Sequence, residues 1–292
     1  MMWQQHSFKN EGERAVLYLV PTPIGNLEDM SFRAIRILKE ADIIAAEDTR
    51  NTKKLCNYFE ISTPIISYHE HNKNHSGKYV IEQLLNGKTI ALVSDAGMPT
   101  ISDPGYELVQ EALVERIPVI PLPGANAALT ALIASGLAPQ PFYFYGFLDR
   151  GSKGKKKELE KLKHMEATFI LYESPHRLKE TLQLMIQILG NRRIVLCREL
   201  TKKFEEFIRG DVETVLQWCE DGQVKGEFCI IVEGSDEEMQ PKSDEWWQDL
   251  SIVDHVNHYI EEKGMKSKDA IKETAKDRNV NKREIYHVYH IE

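Results

Sequence analysis

Between Ala15 and Leu137, short runs of consecutive apolar residues alternate with segments whose apolar positions recur every three or four residues. Ala15–Val20, Ile43–Ala46, Ile65–Ser67, Thr89–Val93 and Pro118–Pro121 lack the alternation of a half-solvated strand, so each predicts a strand covered on both faces. Phe32–Lys39, Thr52–Phe59, Tyr79–Leu85, Glu107–Glu115 and Ala127–Ala134 carry the spacing of amphipathic helices. The alternation predicts a mostly parallel, doubly covered α/β sheet over residues 15–138, after an amino-terminal tail of residues 1–14. Gly136-Leu137-Ala138-Pro139-Gln140-Pro141 breaks the rhythm and reads as a linker.

Residues 142–234 carry mixed signals. Strands are predicted at Phe142–Phe147, Thr168–Tyr172, Arg193–Cys197, Phe204–Arg209 and Phe228–Glu233, with helices at Lys155–His164, Leu178–Leu189 and Val212–Cys219. Two successive strands without a helix between them, Arg193–Cys197 and Phe204–Arg209, predict an antiparallel pair and a mixed α/β domain. An acidic linker, residues 235–250, precedes a helical segment, residues 251–292. There Ala270, Ile271, Thr274 and Ala275, a turn at Asn279-Val280-Asn281, then Ile285, Tyr286, Val288 and Tyr289 follow the spacing of a helix-turn-helix-like unit.

The 292 residues suffice for more than one domain, and 42% hydrophobic with 28% charged residues is the composition of a globular protein. No apolar run is long enough for a membrane span, and Met1–His6 lacks the basic and apolar regions of a signal peptide. Cys56, Cys197, Cys219 and Cys229 are scattered without a Cys-x-x-Cys pair, which predicts reduced, buried thiols and a cytoplasmic location. The net charge of −8 argues against a nucleic-acid partner until its distribution is read. Glu233–Asp249 holds seven acids and one base, whereas Arg150–Lys163 holds seven bases and two acids, and Lys263–Arg283 eight bases and three acids. Basic clusters of this kind bind phosphates whatever the total charge.

The chemistry-bearing loops all follow strands. Ser94-Asp95-Ala96-Gly97-Met98-Pro99-Thr100-Ile101-Ser102-Asp103-Pro104-Gly105 joins a strand to a helix with two glycines, two prolines and two aspartates. It lies at the sheet edge where ligands bind in α/β folds, and it reads as a small-molecule cradle. Pro21–Leu27 stands where a dinucleotide fold places Gly-x-Gly-x-x-Gly but contains only Gly25, so that signature fails. Glu47-Asp48-Thr49-Arg50 sets acid and base side by side. In Pro121-Leu122-Pro123-Gly124-Ala125-Asn126-Ala127-Ala128, small residues open a helix and leave room for a flat ligand. Tyr172-Glu173-Ser174-Pro175-His176-Arg177 and Arg198-Glu199-Leu200-Thr201-Lys202-Lys203 bring charged side chains to strand ends of the second domain. His69-Glu70-His71-Asn72 lacks a third well-spaced ligand, and no metal is assigned.

Taken together and in this order, Val20–Leu27, Ala46–Arg50, Ser94–Gly105, Pro121–Asn126 and Tyr172–Arg177 resemble the tetrapyrrole methylase superfamily, and within it the branch that modifies ribosomal RNA. The resemblance covers residues 15–234, and the carboxyl-terminal helices are similar to that branch's helix-turn-helix-like extension. It implies two α/β domains with a cofactor cleft between them, a small all-α extension, S-adenosylmethionine as methyl donor, and a homodimer. It implies methylation of the ribose 2′-hydroxyl of a cytidine in the decoding region of 16S rRNA, with the 30S subunit as partner. Cofactor-binding positions carried over are Pro23, Ser94, Asp95, Ala96, Gly97, Met98, Ile101, Asn126 and Ala127, with Tyr172, Leu200 and Thr201 closing from the second domain. Met98 departs from the small or polar residue of many relatives, a change that backbone-mediated binding tolerates.

Transfer to a ribose hydroxyl calls for a group that accepts its proton. Asp48, Glu173 and Glu199 are the candidate bases; Arg50, Arg177 and Lys202 are candidates for stabilising an oxyanion or phosphate. Asp48 and Glu173 are favoured because each stands directly at a strand end. Two rival readings stand beside this one: methylation of a tetrapyrrole carbon, with Arg50, Arg177 and Arg198 on the substrate carboxylates, and a non-enzymatic RNA-binding module.

Overall fold

The computed structural model describes residues 2–7, 15–69, 73–222, 224–235, 247 and 250–291. Most of the acidic linker and Glu70, His71 and Asn72 of the histidine-containing motif lie outside these residues. The chain divides into two compact units, Met1–Ser235 and Asp236–Glu292.

The first unit opens with β1 (Leu17–Val20), α1 (Phe32–Glu40), β2 (Ile43–Ala46), α2 (Thr49–Tyr58), β3 (Ile65–Ser67), α3 (Lys73–Leu85), β4 (Ile90–Val93), α4 (Tyr106–Val114), β5 (Val119–Pro121) and α5 (Ala127–Ser135). The five strands form one parallel sheet in the order β3-β2-β4-β1-β5. Every residue of β2 and β4 is buried, as their unbroken apolar sequences predict. Ala34, Ile37, Leu38 and Cys56 from α1 and α2 cover one face of the sheet. Val80, Leu84, Leu108 and Ala112 from α3 and α4 cover the other. Helix α2 starts three residues before its expected Thr52, because the Asp48 side chain accepts from the Arg50 backbone N–H and caps the earlier turn.

A second sheet follows from β6 (Phe142–Phe147), α6 (Ser152–Leu162), β7 (Thr168–Glu173), α7 (Pro175–Leu189), β8 (Arg193–Arg198), β9 (Glu206–Asp211), α8 (Val212–Asp221) and β10 (Phe228–Val232). Its order is β6-β7-β10-β8-β9; β6 runs parallel to β7, and all other pairs are antiparallel, including the expected β8–β9 pair. Helices α6, α7 and α8 bury Leu159, Leu182, Met185 and Val215 against one face. The opposite face is covered by α5, whose Ala128, Ala131 and Leu132 pack on Ile170, Val195, Cys229 and Ile231. Because α5 is the last connection of the first sheet, the two sheets meet within one compact unit. Helices α6 and α7 begin three residues earlier than their apolar patterns suggest, since a first helical turn needs no buried face.

The second unit contains α9 (Ile252–Glu261), α10 (Ser267–Asp277) and α11 (Lys282–Ile291). Val256, Ala270, Ile271, Ala275 and Ile285 form its small core, while Tyr286 is exposed. A core this small needs polar help. His255 is fully buried, with its ring stacked between Trp247 and Tyr259 at 5.4 Å from each. Arg278 Nε donates to His255 Nδ1 at 3.1 Å, and His255 Nε2 lies 3.2 Å from Asp277 Oδ2. This geometry fixes a neutral imidazole with its proton on Nε2.

Burial, followed by the Arg278 charge, holds the His255 pKa below its ordinary value. The unfolded chain therefore takes up this proton first, so the stabilisation is complete above about pH 6.5 and is lost as pH falls below it. Thermal unfolding of the full chain is expected to show this loss as pH falls below about 6.5, and His255→Gln to abolish that part of the pH dependence.

Candidate active site

At the carboxyl end of the parallel sheet, the loops after β1 and β4 leave neighbouring strands and are bonded to each other. Thr22 N donates to Gly97 O and Gly97 N to Thr22 O, both at 2.9 Å. Thr22 Oγ1 donates to Ser94 O and Ser94 Oγ to Gly97 O, both at 3.0 Å. Gly97 adopts φ +86°, a left-handed conformation that glycine enters without strain. Thr100 and Ser102 in the same loop, and Glu199 and Thr201 across the site, also have positive φ despite their side chains. Strain of this kind concentrates at binding sites.

These loops and the strand ends of the second sheet enclose a cleft of about 410 Å³. The first sheet contributes Ile24, Ala96, Gly97, Met98, Ile101, Ser102, Asp103, Asn126 and Ala127. The second contributes Phe147, Tyr172, Glu173, Ser174, Pro175, Cys197, Leu200, Glu227, Phe228 and Cys229. A break in the β6–β7 register between Phe144 and Gly146 turns the strand end, and Phe147 reaches the cleft with its ring 5.5 Å from that of Tyr172. The Tyr172 hydroxyl accepts from Ala128 N at 3.1 Å, and burial pushes its pKa up to about 12. Asn126 caps α5 by accepting from Leu129 N at 2.9 Å.

Of the residues expected at the site, Ala96, Gly97, Met98, Ile101, Asn126, Ala127, Tyr172, Glu173 and Leu200 come together in this cleft. Pro23, Ser94 and Asp95 line a neighbouring recess of about 300 Å³ with Gly25, Lys54 and Tyr58. Asp48 and Arg50 border a third, open recess with Glu47, Ser67 and His69. Asp95 joins these regions, its Oδ1 accepting from Asp48 N at 3.0 Å. Thr201, Arg177, Glu199 and Lys202 belong to the lining of none of the three and instead hold the walls. Lys202 Nζ bonds to Glu199 Oε1 at 3.1 Å and Glu227 Oε2 at 2.8 Å, and Glu199 Oε1 also accepts from Glu227 N at 2.9 Å. Thr201 Oγ1 is buried with no hydrogen-bond partner among the described residues.

Glu173 borders the cleft, but its carboxylate is engaged. Oε1 accepts from Ser174 N at 2.8 Å and lies 3.3 Å from Arg177 Nε, while Oε2 accepts from Thr181 Oγ1 at 2.6 Å. Arg177 Nη2 in turn donates to Leu148 O at 2.7 Å and Asp149 O at 2.8 Å. The pair braces the loop after β6 against the start of α7, the geometry of positioning residues. Asp48 is held at about pKa 2, chiefly by the Arg50 side-chain hydrogen bond. The Glu227 backbone N–H, with Lys202 adding to it, keeps Glu199 below its usual range despite partial burial.

Asp103 differs. Burial, reinforced by the charges of Glu47 and Asp95, raises its pKa to about 7, and a Ser94 hydrogen bond offsets this only in part. Its membership of the Ser94–Gly105 loop is plain in the sequence, but nothing there sets it apart from Asp95. Burial also raises the thiol pKa of Cys197 to about 12, and that of Cys229 well above the ordinary range. Phe147, Glu227 and both cysteines carry no sequence motif that marks them as cleft residues, because pairing between neighbouring strands brings them there.

This topology makes the chain a two-sheet α/β protein with its ligand cleft at the parallel sheet's carboxyl edge. The chain belongs to the tetrapyrrole methylase family: the sequence model of the tetrapyrrole (corrin/porphyrin) methylases matches residues 16–216. Over 291 residues it is 61% identical to ribosomal RNA small subunit methyltransferase I of Bacillus subtilis, covering 100% of this chain and 99% of that protein. The protein of the same name from Halalkalibacterium halodurans is 59% identical, with 100% of both chains covered. Among solved structures, a cobalt precorrin-4 methyltransferase of cobalamin biosynthesis aligns with TM-score 0.58 and 16% identity over 75% of this chain and 94% of its own. The uroporphyrin-III C-methyltransferase of Thermus thermophilus, complexed with S-adenyl homocysteine, aligns with TM-score 0.55 and 18% identity over 75% and 97%. At these identities the structures share the fold.

Thr181→Val tests the brace. It removes the donor to a buried carboxylate oxygen and is expected to cost about 1–3 kcal/mol in chemical denaturation of the full chain. A cost near zero would show that Glu173 has another partner.

Proposed function

We propose that this chain is an S-adenosylmethionine-dependent methyltransferase acting on the ribose 2′-hydroxyl of a cytidine in the decoding region of 16S rRNA, within the 30S subunit. The observation that carries the reading is the reach of the similarity. Relatives named for ribosomal RNA methylation match the whole chain, helical unit included, whereas the tetrapyrrole methyltransferases of known structure cover three-quarters of it. A cytoplasmic homodimer belongs to the same proposal. Among the described residues no helix is long and apolar enough to cross a membrane.

The cleft suits the methyl donor. Its apolar walls and small residues Ala96, Gly97 and Ala127 admit a nucleoside, and the carboxylate of Asp103 complements a positive charge. Gly97, Met98, Ala127, Tyr172 and Leu200 would hold it, with Pro23, Ser94 and Asp95 supporting the loop from behind. When bound, S-adenosylmethionine supplies a methyl group already activated as a sulfonium.

The protein then has two tasks. Holding the hydroxyl oxygen in line with the methyl carbon supplies up to about 7–11 kcal/mol through orientation. Accepting the hydroxyl proton as the new carbon–oxygen bond forms falls best to Asp103, which lines the cleft and has a proton affinity near neutrality. Asp48 and Glu199 are ionised but weakly basic, and Glu173 is committed to its brace. The rival tetrapyrrole reading needs free arginines. Arg177 is engaged by two carbonyls, Arg198 donates to Lys225 O and Glu206, and Arg50 is paired with Asp48.

Isothermal titration with S-adenosylmethionine, then methyl transfer to 30S subunits against transfer to a tetrapyrrole precursor, tests the reading; transfer to the precursor alone would overturn it. Gly97→Val places a branched side chain at φ +86° and is expected to abolish cofactor binding in a folded chain. The transfer rate is expected to rise with pH through an apparent pKa near 7, because Asp103 acts deprotonated. Asp103→Asn should flatten that profile and lower kcat by roughly a hundred- to ten-thousand-fold. An unchanged profile in the variant would remove Asp103 from the proton transfer.

A further inference from the structure

We propose that the amino-terminal half of α6 and the turn before it, with Arg150, Lys153, Lys156 and Lys157, form a docking face for the phosphate backbone of the RNA substrate beside the cleft. The inference rests on the ribosomal RNA reading above and adds where the catalytic unit itself grips the polymer.

The first observation is charge. Residues 150–157 contain five bases and no acid, on a chain of net charge −8. One of the five, Lys155, is fully buried and bonded to Glu180 Oε2 at 2.8 Å. The other four are exposed, and none makes an ion pair with a described residue. Folding thus commits one lysine to packing and leaves four cations in water. Elsewhere on this unit Lys179 pairs with Glu220 and Lys202 with Glu199 and Glu227, while other exposed lysines stand singly; what sets residues 150–157 apart is four such cations clustered with no acid among them. Four unneutralised charges within eight residues repel one another, and a polyanion relieves that repulsion.

Position is the second observation. Arg150 follows by three residues Phe147, which lines the cleft. The intervening turn is tied down: Arg177 bonds to Leu148 O and Asp149 O, Asp149 N donates to Glu158 Oε2 at 2.7 Å, and Gly151 N donates to Asp149 Oδ1 at 2.7 Å. The basic face is therefore held at a fixed distance from the place where a ribose must enter. Because α6 and α7 both begin at the ends of parallel strands, the positive ends of two helix dipoles point to the same edge. A nucleotide drawn into the cleft needs its flanking phosphates held outside, and contacts of this kind orient the strand without reading its sequence.

The experiment uses the full-length protein and 30S subunits. Arg150→Gln, Lys153→Gln, Lys156→Gln and Lys157→Gln are combined in one variant. A control variant carries Lys39→Gln, Lys78→Gln, Lys88→Gln and Arg116→Gln, four exposed cations of the same unit outside the α6 face. The first variant is expected to keep S-adenosylmethionine affinity and kcat while KM for 30S rises about tenfold or more. The slope of log affinity for 16S rRNA against log salt should fall by about 3, since each phosphate no longer neutralised removes about 0.7–0.9. The control should match the wild type. Unchanged KM and slope in the first variant, or equal losses in both variants, would overturn the proposal. If the wild type transfers no methyl group to 30S yet the first variant alone loses RNA affinity, the docking face stands and the assigned reaction falls.

Discussion

Two adjacent parallel strands, β1 and β4, end in loops that cross-bond through Thr22 and Gly97, and most of the site hangs from that pair of hydrogen bonds. The bonds fix the path of the Ser94–Gly105 loop at its start, so that Ala96, Gly97 and Met98 face the cleft. The side chains of Thr22 and Ser94 close the same knot with two further hydrogen bonds, and both residues are buried. A long loop free of such ties would lose its shape to conformational entropy, at about 1–2 kcal/mol for each backbone residue that must be ordered. Here the ordering is done during folding, before any ligand arrives.

The opposite wall is built by different means. It consists of strand ends and a brace of buried charge, Glu173 with Arg177, which spans β7, α7 and the turn after β6. Helix α5 ties the walls together: its first turn is capped by Asn126 from within and by the Tyr172 hydroxyl from across the cleft. Its apolar face then seals the second sheet. One helix therefore transmits the placement of the first sheet to the second, and movement of either wall would disturb a buried interface.

Strands β2 and β4 of the first sheet were legible in the sequence because both their faces are buried: their unbroken apolar runs allow no other reading. Loop chemistry was legible wherever backbone geometry dictates residue type, as with Gly97 and the Asn126 cap. Helix starts were less so, since the first turns of α2, α6 and α7 lie outside the apolar stripe; that of α2 is set by the Asp48 cap and that of α7 by a proline. What the sequence could not convey was which acids the fold would bury. Asp48, Glu173, Glu199 and Asp103 are alike on paper. Asp48 is neutralised by its own neighbour, Glu173 is absorbed into a brace, and Glu199 is tied to Lys202; Asp103 is raised by burial, by Glu47 from another loop and by Asp95 from its own. Arg50, Arg177 and Lys202 are partners within four residues, whereas Thr181 at Glu173, the Glu227 N–H at Glu199 and Glu47 at Asp103 come from farther along the chain, and no local motif encodes those.

The two thiols in the cleft wall have a consequence for chemical self-protection. On the methyl-transfer reading proposed above, the cleft would hold an electrophilic methyl group and expose its own sulfurs to alkylation, sulfur being a better nucleophile than any hydroxyl. Reactivity belongs to the thiolate, however. With Cys197 raised to about 12 and Cys229 well above its ordinary value, both stay protonated at neutral pH and act as small apolar surface. The same desolvation that makes this part of the wall apolar thus keeps it inert toward an electrophile.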